Sequence, residues 1–189
     1  DDFVGTIEAN ADEHLQRQTR LLTLGGDHSI SYPLLRAYAK HYPKLTILHI
    51  DAHSDLYDSF KGNRLSNACP FARIMEEGLC ARLVQMGIRT LNEHQVAQAG
   101  RFGVEMYEMK DWPMAEFPKL DGPIYLSLDV DGIDPAFAPG VSHREPGGLT
   151  TREVINLIHR IEGQLVGADL VEFNPRKDID NLTAQLATK

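Results

Sequence analysis

The sequence ILHIDAHSDLYD, residues 47–58, joins an apolar run to a group of polar residues. The run 44–50 is rich in β-branched residues and predicts a buried strand. Asp51, His53 and Asp55 then occupy every second position. Because side chains alternate between the faces of an extended chain, these three can point to the same side if the chain stays extended. Two carboxylates and an imidazole are costly to bury there without a partner, so their position raises the question of what offsets that cost.

Strand-like runs alternate with helix-like segments along the rest of the chain. The strands are predicted at 20–24, 44–50, 82–88, 104–109, 123–131 and 165–173. The helices are predicted at 29–42, 68–79, 92–103, 112–118, 150–163 and in the last ten residues. At the start of the helix 150–163, Thr150 and Glu153 have the spacing of a capping box. The alternation predicts an α/β fold of three layers, α/β/α, with a mostly parallel central sheet that is covered on both faces.

The composition is that of a globular protein, with 189 residues, 42% hydrophobic and 24% charged. We expect one domain, residues 1–189, truncated at both ends, because residue 1 is not Met and the last residues only begin a helix. The formal net charge of −8 argues against a nucleic-acid partner, since neutralising phosphates requires a basic surface. No apolar run approaches the roughly 20 residues of a membrane span, so no membrane partner is expected.

The chain has two cysteines, Cys69 and Cys80, and no CxxC pair. Two cysteines cannot form a disulfide framework, which favours a reducing compartment. We therefore expect a cytoplasmic location. An organelle is the alternative if an upstream targeting segment is missing.

Polar residues follow four of the predicted strands, and the carboxyl ends of parallel strands meet at one edge of a sheet. The candidates are Asp27, His28, Asp51, His53, Asp55, Asp129, Asp131, Asp134 and Glu172. Any one of these motifs alone is more typical of a turn or a helix cap, and we interpret Asp27 and Asp134 in that way. Together they favour divalent cations. Several carboxylates mixed with imidazole suit Mn, Fe, Ni or Zn, and six ligands suit two bridged ions better than one.

Four stretches resemble the signatures of one enzyme family. They are GGDHSI (25–30), DAHSDLYD (51–58), SLDVDGIDPAFAPG (127–140) and GADLVEFNP (167–175). All four occur in the order found in the ureohydrolase family, which contains arginases and agmatinases, and the resemblance runs from about residue 20 to the end. The connecting sequence is most similar to the plant-type arginase and agmatinase-like branch.

The resemblance implies an arginase-like fold and a hydrolase with two Mn²⁺ ions per chain. Such an enzyme converts a guanidino substrate, agmatine or arginine, to urea and an amine, and it forms a homo-oligomer, a trimer or a hexamer. The family pattern places one ion on His28, Asp51, Asp55 and Asp129, and the other on Asp51, His53, Asp129 and Asp131. By the same resemblance, water activated between the ions attacks the guanidinium carbon. Asp55 moves a proton, and Glu172 binds the guanidinium group.

The stretch GNRLSNAC, residues 62–69, departs from the family pattern GNxxSHA. Asn67 stands where the family carries a histidine that is associated with proton shuttling. Since asparagine does not titrate, we expect reduced turnover with metal binding retained. Substrate contacts are expected by position at Asn63, Ser66 and Asn92.

Two alternatives stay open at this point. The chain hydrolyses another guanidino or formimino compound, or it is a catalytically weakened or non-catalytic paralogue. His143 and Arg144 are interpreted as part of a solvated loop, with the mouth of a substrate pocket as the alternative. His49 shares the side of Asp51 by parity, but it lies inside an apolar run and is interpreted as an ordinary sheet residue.

Overall fold

Six parallel strands form one sheet in the computed structural model, which describes residues 2–113 and 116–189. In chain order the strands are β1 (Leu21–Leu24), β2 (Thr46–Ile50), β3 (Arg82–Ile88), β4 (Glu105–Glu108), β5 (Pro123–Asp129) and β6 (Gln164–Val171). Their order across the sheet is β1-β6-β5-β2-β3-β4, and every neighbouring pair is parallel. The predicted parallel sheet is confirmed.

Helices cover both faces of this sheet. They are α1 (Phe3–Gln16), α2 (Ser31–His41), α3 (Pro70–Glu76), α4 (Glu93–Phe102), α5 (Thr151–His159) and α6 (Leu182–Ala187). Successive residues of β2 face opposite layers, as the period of two requires. Ile47 packs in one core cluster with Tyr38 of α2. Leu48 packs in a second cluster with Leu157 of α5. The three-layer prediction is therefore confirmed.

The helix α1 was missing from the sequence prediction, although its signals are present. Asp2 caps the helix by accepting a hydrogen bond from the backbone N–H of Gly5 at 2.9 Å. Ile7, Ala11 and Leu15 recur at helical spacing and pack in the same core cluster as α2. The helix adds a layer of side chains over one face of the sheet.

Most helices and strands begin or end a few residues away from their predicted bounds. The predicted strand 123–131 ends at Asp129, because residues 130–132 form a short 3₁₀ turn. The capping box of Thr150 and Glu153 is confirmed. The helix expected at 112–118 includes residues 114 and 115 and so lies outside the described residues. None of the described helices has the length and apolar character needed to cross a bilayer.

Two glycines let neighbouring backbone pass close to Asp51 at the end of β2: Gly87 in β3 and Gly132 in the turn that follows β5. A Cβ atom on Gly132 would lie 2.8 Å from the backbone nitrogen of Asp51, and one on Gly87 would lie 2.9 Å from the backbone oxygen of Asp51. Gly87 also has a φ of +89°, which disfavours other residues. These contacts leave no space for a side chain on either flank of Asp51, so both positions require glycine.

Candidate metal centre

The polar cluster lies at the carboxyl edge of the sheet, between β2 and β5. Ile50 is in register with Leu128, so Asp51 and Asp129 leave the sheet side by side. In the strand order, β2 is followed by its neighbour β3 toward one edge of the sheet, and β5 is followed by its neighbour β6 toward the opposite edge. A reversal of strand order of this kind opens a crevice beyond the strand ends, where ligands bind in open α/β sheets.

His28 lies at the centre of a first group of candidate ligands. Its Nδ1 atom is 3.2 Å from Asp51 Oδ2, 3.1 Å from Asp55 Oδ2 and 3.2 Å from Asp129 Oδ2. This nitrogen is buried and has no hydrogen-bond partner in acceptable geometry. Metal–ligand bonds of about 2.1 Å at right angles separate neighbouring ligand atoms by about 3 Å. The three distances from His28 Nδ1 are therefore those expected between neighbouring ligand atoms around a small divalent cation.

His53 forms a second group on the other side of Asp51. Its Nδ1 atom is 3.4 Å from Asp51 Oδ1 and 3.3 Å from Asp131 Oδ2. Asp51 therefore presents one carboxylate oxygen to His28 and the other to His53. A carboxylate placed in this way can bridge two cations, and this arrangement again fits the donor set that Mn²⁺ and related ions accept.

Backbone N–H groups hold these carboxylates in place. The N–H of His53 donates to Asp51 Oδ1 at 2.6 Å, and the N–H of Asp131 donates to Asp129 Oδ1 at 2.8 Å. The N–H of Ala52 donates to Asp131 Oδ1 at 3.2 Å. Hydrogen bonds to ionised groups are stronger than neutral ones, so the local backbone fixes the orientation of each carboxylate.

The far side of His28 is held by a buried hydrogen-bond chain. His28 Nε2 is 3.0 Å from Ser127 Oγ, which donates to Asp169 Oδ1 at 2.7 Å. Asp169 Oδ2 accepts from Ser31 Oγ at 2.9 Å and from the Tyr125 hydroxyl at 2.8 Å. Since the Ser127 proton is used on Asp169, Ser127 accepts from His28 Nε2. The Nδ1 lone pair of His28 is then free for a cation.

The electrostatics of the cluster require a compensating charge. Burial and the charge of Asp51 raise the pKa of Asp55 to about 7 and that of Asp131 to about 6. Burial, with the charges of Asp131 and Asp51, raises the pKa of Asp129 well above its usual range. Burial opposes protonation of His53, but contacts with Asp131 and Asp51 raise its pKa to about 12. The raised pKa values mean that bound protons offset part of the negative charge of the carboxylates. A divalent cation would supply the same positive charge.

His49 is more than the ordinary sheet residue that the sequence suggested. It is fully buried, and its Nε2 lies 2.7 Å from Asp51 Oδ2. Burial lowers the pKa of His49 to about 4, so the imidazole is neutral. Its ring stacks on Phe71 with centroids 4.0 Å apart. The signal that could have identified it is its parity with Asp51, two positions along the same strand.

Asp55 and Glu172 both have left-handed backbone conformations, with φ of +51° and +64°. Non-glycine residues rarely adopt this conformation, and strain of this kind concentrates at functional sites. Glu172 Oε1 accepts from the backbone N–H of His28 at 3.1 Å and from Asn67 Nδ2 at 3.3 Å. The structure therefore places the predicted guanidinium-binding residue directly beside Asn67 and the His28 backbone.

A cavity of about 230 Å³ opens onto this cluster. Its lining residues are His53, Asp55, Tyr57, Phe60, Asn67, Ala68, Thr90, Gln95 and His143. His143 is exposed, as a loop residue would be, but it also lines the cavity, and its ring centroid is 6.1 Å from that of His53. The structure therefore combines both interpretations of His143, the solvated loop and the mouth of the pocket.

Asn63, Ser66 and Asn92, three of the four predicted substrate contacts, are not among the lining residues in the described part of the chain, and neither is the fourth, Glu172. Asn92 caps α4 and donates from Nδ2 to the hydroxyl of Tyr57 at 2.6 Å. Ser66 Oγ donates to Asn67 Oδ1 at 3.1 Å, and Asn63 Oδ1 accepts from the N–H of Leu65 at 2.9 Å. Their contact with substrate stays a prediction.

Asp27 and Asp134 have the local roles that the sequence suggested. Asp27 Oδ1 accepts from the N–H of Ser29 at 3.1 Å and caps a short 3₁₀ turn. Asp134 Oδ2 accepts from the N–H groups of Gly147 and Gly148 at 2.7 and 3.0 Å, which orders the loop behind the cluster.

Comparison with known proteins gives consistent matches. A model described as the Arginase family matches residues 1–189. Mitochondrial arginase 1 of Arabidopsis thaliana is 54% identical over 179 residues, covering 90% of this chain and 52% of that protein. Mitochondrial guanidino acid hydrolase of Homo sapiens is 42% identical over 180 residues, covering 88% and 51%. The solved arginase from Medicago truncatula has a TM-score of 0.89 at 42% identity, covering 99% of this chain and 63% of that one. The chain spans about half the length of the curated relatives it matches.

Proposed function

Since the chain belongs to the arginase family, we propose that it is a metal-dependent amidinohydrolase that converts a guanidino compound to urea and an amine. One observation carries this proposal. The two oxygens of Asp51 face different histidines, His28 at 3.2 Å and His53 at 3.4 Å. A fully buried carboxylate in this position suits two bridged ions and has no comparable use in an ordinary core.

We propose that the two ions are Mn²⁺ and that six residues hold them. One ion takes His28, Asp51, Asp55 and Asp129, and the other takes Asp51, His53, Asp129 and Asp131. When bound, such ions supply Lewis-acid chemistry that lowers the pKa of water to near neutrality. The mixture of imidazole and carboxylate supports Mn²⁺ but also accommodates other first-row metals.

Two carboxylates supply binding and proton transfer: Glu172, which contacts the lining residue Asn67, and Asp55, which lines the cavity itself. Glu172 accepts N–H groups of the planar guanidinium cation, and a carboxylate can accept two of them side by side. Asp55 lines the cavity and lies against His28, where it can hold a proton on its way to the departing nitrogen. Asp55 is buried and Glu172 is partly buried, which limits screening by water and strengthens their interaction with a cationic substrate.

Arginine and agmatine are both candidate substrates. No Lys or Arg lies among the described lining residues of the cavity to pair with an α-carboxylate, which favours agmatine. The Arabidopsis relative is named an arginase, which favours arginine. The human relative is named a guanidino acid hydrolase, so another guanidino compound stays an alternative.

Asn67 favours a second candidate function, a weakened or non-catalytic paralogue that retains its metal ions. Its amide contacts Glu172 at 3.3 Å and lines the cavity, so the position faces substrate but offers no titrating group. This candidate predicts bound Mn²⁺ without urea release.

The proposed unit is one domain that forms a homo-oligomer, a trimer or a hexamer, as the family resemblance implies. The single sheet with a core cluster on each face supports one domain over residues 1–189. The cytoplasmic location stays a prediction. The names of the Arabidopsis and human relatives place those proteins in mitochondria, which favours an organelle for this one.

Metal content and urea release, measured together, test the proposal. We expect about two Mn²⁺ per chain and urea from arginine or agmatine, assayed side by side, with both lost in Asp129→Asn. Asp121→Asn is the matched control, because its carboxylate is exposed and it precedes β5, whereas Asp129 ends that strand. One ion or none at saturating Mn²⁺ would overturn the binuclear site. Two ions without urea from any guanidino compound would favour the non-catalytic paralogue.

A further inference from the structure

Two fully buried polar side chains behind Asp51 lie outside the proposed ligand set. They are His49 of β2 and Gln85 of β3, which are in direct register across the sheet. Polar groups are costly in the core of a sheet unless each has a partner. Their position behind a bridging carboxylate suggests a role in holding it.

The hydrogen bonds fix which nitrogen of His49 carries the proton. Gln85 Nε2 lies 2.7 Å from the backbone oxygen of Ser54 and 3.0 Å from His49 Nδ1. A carbonyl oxygen only accepts, so the nitrogen of the amide, and not its oxygen, must face Ser54. Its second hydrogen then points to His49 Nδ1, which accepts. The proton of the neutral ring is therefore on Nε2, 2.7 Å from Asp51 Oδ2.

We propose that Gln85 and His49 are positioning residues that lock Asp51 in its bridging orientation. This inference rests on the proposed binuclear site. His49 donates to Oδ2 at 2.7 Å, and the backbone N–H of His53 donates to Oδ1 at 2.6 Å. Each oxygen thus has one fixed donor, and each keeps a lone pair for one of the two ions. Rotation of the carboxylate would break both hydrogen bonds.

The same amide also reaches the backbone beside Asp55. Gln85 holds the carbonyl of Ser54, the residue just before the left-handed conformation of Asp55. One buried side chain therefore supports both the bridging carboxylate and the neighbouring candidate ligand. Stacking on Phe71 and an edge contact with His28, at centroid distances of 4.0 and 5.0 Å, keep the His49 ring from turning.

The opposing possibility is that His49 is itself a ligand. His28, His49 and Asp51 lie close enough to hold an ion together. Coordination would require Nε2 to lose its proton and Gln85 to turn its amide, which would place its oxygen against the Ser54 carbonyl. The positioning role needs neither change.

Nitrogen-15 NMR of the metal-free protein tests the tautomer directly. We expect Nε2–H for His49 in the wild type and a mixture of tautomers in Gln85→Leu, with Leu83→Met as a buried control on the same strand. An Nδ1–H tautomer in the wild type would overturn the proposal, whatever the enzyme activity. This measurement is independent of urea release, so it separates failure of the inference from failure of the proposed function.

Calorimetric titration with Mn²⁺ tests the consequence. We expect His49→Phe, which keeps a ring but removes the donor, to weaken Mn²⁺ binding by about tenfold or more, and Gln85→Leu to weaken it less. A lower unfolding temperature with unchanged Mn²⁺ affinity in both variants would show a merely structural role and overturn the proposal. If His49→Phe does not fold, Gln85→Leu decides the same question. If His49→Phe binds one Mn²⁺ ion fewer per chain and binds the remaining ion with wild-type affinity, His49 is a ligand. That result would also overturn the positioning role.

Discussion

The two histidines of the candidate metal centre, His28 and His53, have opposite surroundings. The inner half, which we define as His28, Ser127 and Asp169, is fully or almost fully buried, and its hydrogen bonds are 2.7–3.0 Å long. The outer half comprises His53, His143 and Glu145. There His53 Nε2 is 3.8 Å from Glu145 Oε1, beyond hydrogen-bond distance, and the Glu145 side chain is 37% exposed.

The difference indicates two separate demands on one site. A buried, fully hydrogen-bonded ligand is pre-organised, so it binds an ion without reordering and contributes to folding. A partly exposed ligand beside a cavity leaves room for substrate and for exchange with solvent. We therefore expect substitutions in the inner half to reduce both stability and metal affinity, and those of His143 and Glu145, the two outer residues outside the proposed ligand set, to change mainly kinetics.

Removal of Asp169 gives the largest expected effect and tests the inner half. Asp169→Ala leaves the hydroxyls of Ser31, Tyr125 and Ser127 without their acceptor, at a cost of about 3–5 kcal/mol in the free energy of unfolding. That corresponds to a fall of about 10 °C in Tm for a chain of this size. Calorimetry should also show weaker Mn²⁺ binding. Asp121→Ala, an exposed position, is the control, and an equally small Tm change in both variants would remove the distinction between the halves.

Removal of the metal should make the protein less stable as pH rises, whereas the Mn²⁺-bound protein should not lose stability. In the metal-free protein, folding raises the pKa of Asp55 to about 7 and that of His53 to about 12. The folded state then binds more protons than the unfolded state, so the free energy of unfolding falls as pH rises from 6.5 to 8. His49, with its pKa lowered to about 4, acts in the opposite sense only between about pH 4 and 6.5, so it does not disturb this window.

Thermal unfolding at pH 6.5 and 8 measures this effect. We expect the Tm of the metal-free protein to fall by several degrees, roughly 2–4 °C for each kcal/mol. With saturating Mn²⁺ the Tm should be flat or rise, because cations bind the deprotonated carboxylates. A metal-free protein whose Tm rises with pH would contradict the raised pKa values of Asp55 and His53.

Substitution of Asn67 sharpens the comparison on the cavity side. Asn67→His places a titrating group beside Glu172, 3.3 Å from the present amide, and should raise kcat for urea release by about tenfold while leaving Mn²⁺ affinity unchanged. Asn67→Gln is the matched control, because it adds length without a titrating group. An unchanged kcat in Asn67→His would show that the position does not limit turnover.

The smallest effect is expected at Glu145, in the outer half. Glu145→Gln removes a charge that lies 3.8 Å from His53 across a solvent-accessible gap. Exposed pairs of this kind contribute about 0–1 kcal/mol, so Tm should stay within about 4 °C of the wild type. A loss of Mn²⁺ affinity as large as that of Asp169→Ala would show that the outer half is as tightly held as the inner one.

The sheet and the clustered residues at its edge could be predicted because both depend on short-range patterns. Apolar runs predict strands, and the polar residues that follow them mark the strand ends; the shared face expected for Asp51, His53 and Asp55 needed an extended chain, whereas β2 ends at Ile50 and Asp55 has a φ of +51°. The parallel arrangement then brings strand ends together whatever the loop lengths are. These inferences need no knowledge of which residues are in register.

The supporting residues could not be predicted in the same way. Gln85 and Asp169 lie inside strands, and their partners depend on registers between segments 30 to 140 residues apart in sequence. Parity gives the face of His49 but not its contact with Asp51. Asn92 shows the converse: family position suggested a substrate contact, while its local capping geometry engages the side chain elsewhere. The left-handed backbone at Glu172 also has no signal in residue type.

The close approach at Gly87 and Gly132 has a consequence for redesign. With a Cβ position 2.8–2.9 Å from the Asp51 backbone, neither strand flank can accept a new functional group without separating the strands. Substitutions at Gly87 or Gly132 would therefore destabilise the fold around Asp51 before they could change substrate selectivity. The tractable positions for directed evolution are those that line the cavity outside the proposed ligand set, such as Phe60 and Thr90.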